Sequence, residues 1–247
     1  MIGDLVGAAA LGDGDLVIDF GAGPGAITAP LARTGSRVLA VERDARFAAA
    51  LRRRFGDLPH VRVVHDDLRT VRLPRRAFVV VANVPFAVST PLLRRLLSPV
   101  PGGLSRAELL VEWGLARRLT AACQRDLETA WWSCRYVLTL RRRVAALCFT
   151  PAPGVDAAHL AVRRRPDVDL RVSAILWTLL STAHARPGAV ARRSLHGLVP
   201  GRLTHRLLGD EPATAVTSAR WLTLAKTLSA DKNIVTPRLP ASVRNTG

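Results

Sequence analysis

Cysteine is scarce in this chain of 247 residues, and long apolar runs are missing. The three cysteines are Cys123, Cys134 and Cys148, and they have neither the CxxC spacing nor the even count expected of a zinc site or a disulfide framework. Arg or Asp interrupts the longer apolar runs well before a membrane-spanning length, and the amino-terminal segment carries acids where a secretory signal carries a basic region. These absences predict a cytoplasmic protein without a bound metal and without a membrane partner.

Acidic residues are few relative to basic ones. The chain has 36 Lys and Arg residues against 19 Asp and Glu residues, which gives a formal net charge of +17. A chain this basic most often has an anionic partner, so nucleic acid is the first candidate. A coding bias toward arginine is the alternative explanation, since nearly all of the basic residues are arginines.

Short apolar runs alternate with longer segments rich in Ala, Leu and Arg from about Leu16 to Glu112. This alternation predicts a mostly parallel sheet with helices on its faces. The later runs RYVLTL, VAALCF and AHLAVRRR lack helix-length spacers and predict an antiparallel end to the same sheet. Beyond Arg165 the apolar residues have helical spacing, interrupted by Pro and Gly. We therefore expect an α/β domain at residues 1–165, a small helical domain at 166–230 and a flexible tail at 231–247.

A glycine-rich turn follows the first predicted strand, in the stretch LVIDFGAGPGAIT. It places Asp19, Gly21, Gly23 and Gly25 at the carboxyl end of that strand, where open α/β sheets collect their ligands. The spacing GxGxG differs from the GxGxxG dinucleotide fingerprint, and no GK[ST] follows as in a Walker loop. The turn predicts a ligand-binding loop of another kind, with an ordinary strand-to-helix turn as the alternative.

Acids also end the next two predicted strands. Glu42 ends the run VLAVE, where its carboxylate can accept hydrogen bonds from two ribose hydroxyls. The run VRVVHDDL ends with Asp66 and Asp67, and either can accept from an adenine amino group. Three acids at successive strand ends predict a nucleoside-containing cofactor, although each acid taken singly is as well explained by a solvated loop position.

Four motifs in one order, DFGAGPG, VLAVERD, HDDL and NVPF, resemble the S-adenosylmethionine-dependent rRNA adenine methyltransferases. That superfamily includes the Erm-type macrolide-resistance enzymes and the small-subunit dimethyladenosine transferases. The downstream segment looks like the Erm branch, including an FxPxPxV pattern at Phe149, Pro151, Pro153 and Val155. The resemblance covers roughly Leu5 to Arg165 and implies a Rossmann-like methyltransferase sheet followed by a small helical domain.

The resemblance implies that S-adenosylmethionine is the cofactor. Carried over by position, it implies that the methionine side is lined by Asp19, Gly21 and Gly23. Glu42 would hold the ribose and Asp67 the adenine amino group, because Asp66 stands where the family often has glycine.

The NVPF stretch would hold the target adenine. The exocyclic nitrogen of adenine is a poor nucleophile because its lone pair is delocalised into the ring. If the Asn83 side-chain oxygen and the Val84 carbonyl oxygen each accept one amino hydrogen, the nitrogen is drawn toward tetrahedral geometry and aimed at the methyl donor, so Asn83 also borders the cofactor. Pro85 keeps the backbone rigid and leaves no N–H donor there. Phe86 offers a flat face for stacking on the base.

The expected substrate is one adenine of large-subunit (23S) rRNA before ribosome assembly is complete, methylated at N6 by a monomeric enzyme. Such methylation confers macrolide-lincosamide-streptogramin B resistance in the resembled enzymes. We expect RNA contacts from arginines that flank or lie in the helical domain, since arginine binds phosphate well: Arg163, Arg164, Arg165, Arg192 and Arg193.

Two alternatives remain open. One is a small-subunit (16S) rRNA dimethyladenosine transferase. The other is a non-catalytic RNA-binding protein on the same fold, because the SQNF-containing segment that the family carries ahead of its first strand is missing from this sequence.

Overall fold

The structure, a computed structural model, describes residues 1–244 and is built on a seven-stranded sheet. The strands are β1 (Leu16–Phe20), β2 (Arg37–Glu42), β3 (Val61–His65), β4 (Phe78–Asn83), β5 (Leu104–Glu112), β6 (Tyr136–Val144) and β7 (Ala157–Arg164). They lie in the order β3-β2-β1-β4-β5-β7-β6. Strands β1 to β5 pair in parallel, whereas β7 is antiparallel to both of its neighbours. The predicted mostly parallel sheet with an antiparallel end is confirmed.

One run predicted at the antiparallel end is not a strand. In VAALCF, only Val144 belongs to β6, and residues 146–148 form a short 3-10 turn. The carboxylate of Asp156 causes this departure, because it accepts hydrogen bonds from the backbone N–H of Ala146 (2.9 Å) and from Arg143 (2.6 Å). Residues 145–156 therefore form a loop, called here the β6–β7 loop.

Helices cover both faces of the sheet. They are α1 (Ile2–Ala8), α2 (Thr28–Leu31), α3 (Ala45–Phe55), α4 (Ser89–Leu97), α5 (Trp113–Leu119), α6 (Leu127–Arg135), α7 (Leu170–His184), α8 (Ala191–Ser194), α9 (Gly201–Leu208) and α10 (Ser218–Ala230). Because side chains alternate along a strand, Val17 packs with α1 and α2 on one face, while Ile18 and Phe20 pack in the larger core with α4. No helix in residues 1–244 has the length and apolar character needed to cross a bilayer.

The helical region beyond β7 shares the larger core. Helix α7 packs on α6 and α10, and the rings of Trp131 and Trp177 meet edge to face at 5.2 Å. Trp132 and Trp221 are buried in the same core. Apolar packing therefore ties the carboxy-terminal helices to the sheet.

The segment after α10 departs from the predicted flexible tail over the part that the structure describes. Leu239 and Val243 are buried, and the N–H of Val100 donates to the Val243 carbonyl oxygen (2.7 Å). Arg171 donates to the carbonyl oxygens of Asp231 and Ile234. The sequence signal failed because two isolated apolar residues in a polar, proline-containing stretch are enough to hold it. Residues 245–247 of the predicted tail lie outside the described residues.

Candidate active site

The glycine loop turns sharply at the carboxyl end of β1. Gly21 and Gly25 have positive φ angles of 73° and 86°, a region that favours glycine. A Cβ on Gly25 would lie 2.9 Å from Leu51 of α3, and a Cβ on Gly21 would lie 3.5 Å from the ring of Pro85. The missing side chain at Gly21 therefore keeps open the gap between the glycine loop and the NVPF stretch.

Asp19 is buried beneath this loop. Its carboxylate accepts a hydrogen bond from the hydroxyl of Thr28 (2.7 Å), and it borders the open space above Gly21. Burial raises the pKa of Asp19 to about 7; the hydrogen bonds from Thr28 oppose that rise, and the nearby Glu42 adds to it. A carboxyl group that titrates near neutrality at a ligand-binding edge is a mark of a functional site.

Glu42, at the end of β2, braces the glycine loop. One carboxylate oxygen accepts from the N–H of Gly23 (2.7 Å), and the other accepts from the N–H of Asp44 (2.7 Å). Both oxygens are therefore held by backbone groups, and the side chain is buried. Besides the predicted ribose contact, Glu42 links the first and second strand ends.

Asp67 follows β3 and carries an ion pair. Arg69 donates to both of its carboxylate oxygens, with a shortest distance of 2.6 Å, and Arg43 lies 3.8 Å away. The hydrogen bond from the Arg69 side chain is the main reason that the pKa of Asp67 is far below its usual range, with the Arg69 N–H and the charge of Arg43 also contributing. Asp66 instead accepts from the N–H of Asp67 (2.7 Å). Asp67 thus keeps its charge at every physiological pH.

The NVPF stretch leaves the sheet between β4 and α4. Asn83 is the last residue of β4 and is exposed at the rim, whereas Val84 is buried and its N–H donates to the Leu110 carbonyl oxygen (3.0 Å). The Pro85 carbonyl oxygen accepts from the N–H of Val88 (3.0 Å), which starts a 3-10 turn at Phe86. Asn83 and Val84 both border a cleft at this rim, and no hydrogen bond within residues 1–244 engages the Val84 carbonyl oxygen or the Asn83 side chain.

A cleft of about 540 Å³ brings most of the predicted site together. Asp19 and the glycine loop form one side, and residues 83–86 form another. Glu42 and Asp67 do not line this cleft. Glu42 is the last residue of β2 and Asp67 follows β3, and both strands lie on the side of β1 opposite to β4. The volume lies within the range of about 300–1,000 Å³ that is usual for cofactor pockets.

Sequence reasoning missed part of the cleft wall. The β6–β7 loop contributes Cys148, Phe149 and Pro151, and α1 contributes Ile2. The loop reaches the cleft because β6 runs in the same direction as β5, so both end at the edge that carries the NVPF stretch. The FxPxPxV pattern marked this loop in the sequence, but nothing in the pattern indicated that the loop lies at the cleft. No group of His, Cys, Asp and Glu side chains within residues 1–244 has the arrangement of a metal site.

The predicted RNA-binding arginines fall in two places. His159 of β7 is level with the cleft edge, because it pairs with Leu110, which pairs with Asn83. Arg164 lies five residues further along β7, which places it about 17 Å away toward the opposite edge of the sheet. Because β7 is antiparallel, the structure separates Arg163, Arg164 and Arg165 from the cleft. Their predicted contact with RNA stays a prediction without support from this placement.

Arg192 and Arg193 lie on α8, in the helical region beyond β7. The guanidinium of Arg192 pairs with Asp210 at 2.5 Å, whereas Arg193 is exposed. Both border a small cavity on the helical region. Arg193 is therefore the more available of the two for a phosphate group.

A Rossmann-like sheet with this glycine loop, these strand-end acids and the NVPF rim defines an S-adenosylmethionine-dependent methyltransferase fold. A family profile described as "Ribosomal RNA adenine dimethylase" matches residues 1–228. The chain belongs to that family, whose members use S-adenosylmethionine as the methyl donor.

The relatives include proteins that act on different rRNAs. The chain is 36% identical over 188 residues to the mycinamicin-resistance protein MyrB of Micromonospora griseorubida, covering 75% of this chain and 59% of that protein. It is 32% identical over 235 residues to the ribosomal RNA small subunit methyltransferase A of Sphingopyxis alaskensis, covering 87% and 84%. It spans 59% of the length of the first Bacillus relatives. The crystal structure of the 23S rRNA methyltransferase ErmE aligns with a TM-score of 0.79 at 22% identity, over 91% of this chain and 95% of that one, which shows the shared fold.

Proposed function

We propose that the protein transfers methyl groups from S-adenosylmethionine to the N6 atom of one adenine of 23S rRNA, and so confers macrolide-lincosamide-streptogramin B resistance. The observation that carries this proposal is that the glycine loop and Asp19 face the NVPF stretch across one cleft. One side offers a buried carboxyl group and open glycine backbone, and the other offers two oxygen acceptors and an aromatic ring.

The cleft suits the cofactor on its own geometry. The gap kept open by Gly21 admits a ligand between the two loops, and the carboxylate of Asp19, when ionised, attracts the cationic methionine part. S-adenosylmethionine would supply an electrophilic methyl group on a sulfonium centre. Glu42, which already fixes the N–H of Gly23, and Asp67 would hold the nucleoside part.

Asn83 and Val84 make the adenine nitrogen more nucleophilic through the positions of their oxygen atoms. The oxygen of the Asn83 side chain and the carbonyl oxygen of Val84 accept the two amino hydrogens, which weakens delocalisation of the lone pair into the ring. The N–H of Val84 is bound to Leu110, so its carbonyl oxygen has a fixed direction. No side-chain base is needed, because the methylated amine is acidic enough to lose its proton to water.

Two rings line the space for the base. Phe86 follows the acceptors directly, and Phe149 reaches the same cleft from the β6–β7 loop. Stacking on aromatic side chains contributes about 1–3 kcal/mol per base, which offsets the free energy needed to extrude the base from its stack. Arg193, with Arg192, is the group from the sequence prediction that we retain for phosphate contacts.

The second candidate is methylation of small-subunit rRNA. It is favoured by the Sphingopyxis relative, which matches over 87% of this chain, a larger share than the resistance protein. The two candidates use the same cleft and differ in the RNA that delivers the adenine.

Primer extension on rRNA from cells that express the protein separates the candidates. A reverse-transcription stop at one large-subunit adenine, together with macrolide resistance, is the expected result. A stop confined to small-subunit rRNA would overturn the large-subunit assignment. No stop on either rRNA, with RNA binding retained, would favour the non-catalytic alternative, and cells that express Asn83→Ala provide the control.

A further inference from the structure

Three charged or polar side chains meet in the interior of the sheet, away from the cleft. Glu108 on β5 is fully buried, and His159 on β7 is nearly so. One carboxylate oxygen of Glu108 lies 2.5 Å from Nε2 of His159, and the other pairs with the guanidinium of Arg163. Arg163 also donates to the carbonyl oxygen of Val162 (3.0 Å). A fully buried carboxylate is thus paired on both oxygens.

The same arginine reaches the carboxyl end of α1. Nη2 of Arg163 donates to the carbonyl oxygen of Ala8 (2.9 Å). Arg106, which pairs with Arg163 across the β5–β7 ladder, donates to the carbonyl oxygens of Ala9 (2.7 Å) and Ala10 (3.1 Å). The guanidinium groups of Arg163 and Arg106 therefore satisfy three consecutive carbonyl groups at the carboxyl end of α1. At that end a helix leaves its last acceptors unpaired, and its dipole is negative.

The chain turns abruptly at the carboxyl end of α1, where the contacts of Arg106 and Arg163 with Ala8, Ala9 and Ala10 form what is called here the clamp. Ala10 has a φ of 47°, which is rare for a residue with a side chain. Arg106 holds this residue by its carbonyl oxygen and also pairs with Asp15 (2.6 Å), just before β1. The strained turn is kept in place by charged contacts from the sheet.

The opposite end of α1 is a wall of the cleft. Ile2 borders the cleft, whereas Leu5 and Val6 pack on the sheet in the core cluster that contains Leu110. Leu110 borders the cleft as well and lies two residues after Glu108 on β5, on the same face of the strand. Helix α1 therefore runs from the cleft to the clamp, and its position is fixed at the far end.

We propose that Glu108, Arg163 and Arg106 are positioning residues for the methyl donor: they pin the carboxyl end of α1 and thereby set the α1 wall of the cofactor cleft. This inference rests on the proposed function. Arg163, which sequence reasoning placed on RNA, acts through α1 instead. His159 completes the unit by binding the second oxygen of Glu108.

Removing Arg163 alone would leave one oxygen of the buried Glu108 carboxylate without its cationic partner, so loss of the fold would mask loss of positioning. The double variant Glu108→Gln with Arg163→Met removes the buried charge and the contact with Ala8 together, and it is expected to remain folded. Arg171→Met is the control, because Arg171 on α7 donates to the carbonyl oxygens of Asp231 and Ile234, not to α1.

Calorimetric titration of the full chain with S-adenosylhomocysteine is the test. We expect the double variant to bind about tenfold more weakly than the parent, an effect of about 1.4 kcal/mol, with faster amide exchange in α1. We also expect a raised KM for S-adenosylmethionine, with kcat and the KM for RNA unchanged. The control should match the parent in each measurement.

Equal S-adenosylhomocysteine affinity in the folded double variant and the parent would overturn the positioning role alone. Absence of binding by the parent at millimolar S-adenosylhomocysteine would overturn both this inference and the proposed function. A fall in kcat without a change in affinity would also contradict a role through the cofactor wall.

Discussion

Replacing Asp19 by Asn is the perturbation that the buried site defines most sharply. Asparagine has nearly the same shape, and its side-chain oxygen can still accept the hydrogen bond from Thr28. The substitution therefore removes a titratable charge from a site that is 1% exposed without leaving a cavity. Its effect on stability should depend on pH.

The sign follows from the direction of the pKa change. Burial raises the pKa of Asp19 from its ordinary value of 3.8 to about 7, so the folded protein holds this proton over a range in which the unfolded chain releases it. Between about pH 4 and pH 7 the folded state binds more protons, and the free energy of unfolding falls as pH rises. At 1.36 kcal/mol for each pH unit, the loss from this one group amounts to about 4 kcal/mol above pH 7.

Urea unfolding of parent and Asp19→Asn at pH 4.5 to 8 measures this effect. The variant should be close to the parent at the acid end and more stable by a few kcal/mol at pH 8, because asparagine carries no charge to desolvate. The difference between the two proteins cancels the titration of all other groups. A stability difference that stays constant over this range would refute the raised pKa and with it the burial argument.

The same variant should lose affinity for the cofactor. The ionised Asp19 attracts the cationic methionine part of S-adenosylmethionine, so the parent is expected to bind more tightly as pH rises through about 7, and the variant to show a flat, weaker profile. Calorimetry at pH 6, 7 and 8 checks this expectation. The ionised form of Asp19 would then bind the cofactor more tightly, although the folded protein is less stable in that form.

Three further changes test other parts of the site. Asn83→Ala should lower kcat by about 100-fold or more, in line with other single acceptor or donor losses, while S-adenosylhomocysteine affinity stays the same; an unchanged kcat would exclude the acceptor role. Glu42→Ala should weaken cofactor binding, because loss of the contact with the N–H of Gly23 loosens the glycine loop. The dissociation constant of the cofactor measures this effect, and an affinity equal to that of the parent would remove Glu42 from the site. Gly25→Ala should lower the melting temperature, because φ is 86° and the new Cβ would lie 2.9 Å from Leu51, and a wild-type melting temperature would contradict the strained turn.

Local patterns in the sequence were sufficient for the strands and for much of the cleft. Apolar runs that lead up to Asp19 and Asn83 predict strands that end close to these residues, and β1 ends at Phe20 and β4 at Asn83. Parallel pairing then brings the ends to one edge. The assembly of the glycine loop with the NVPF stretch follows from this rule, and the cleft between them is bordered by Asp19, Gly21, Gly23 and residues 83–86 but not by Glu42 and Asp67.

The sequence predicted an antiparallel end to the sheet, but local patterns did not show which of its strands runs against β5. The run AHLAVRRR predicts a strand of that end with basic residues at its close, but only the pairing of β7 with β5 shows that Arg163 and Arg164 lie at the edge opposite to the cleft. The pairing partner of Glu108 was equally hidden, because Glu108 and His159 are 51 residues apart in the chain and meet only across the β5–β7 ladder. The packing of Val243 on Val100 is likewise a long-range contact that a polar tail composition conceals.

The hairpin made by β6 and β7 allows one wall of the cleft to change in length independently of the rest of the sheet. Its loop of residues 145–156 enters and leaves through two neighbouring strands at the cleft edge, so added or deleted residues lengthen or shorten the loop without altering the strand order. Phe149 sits on that loop, while the acceptors of the NVPF stretch sit on a different connection. The wall that carries Phe149 can therefore vary while the connection that carries Asn83 and Val84 stays the same.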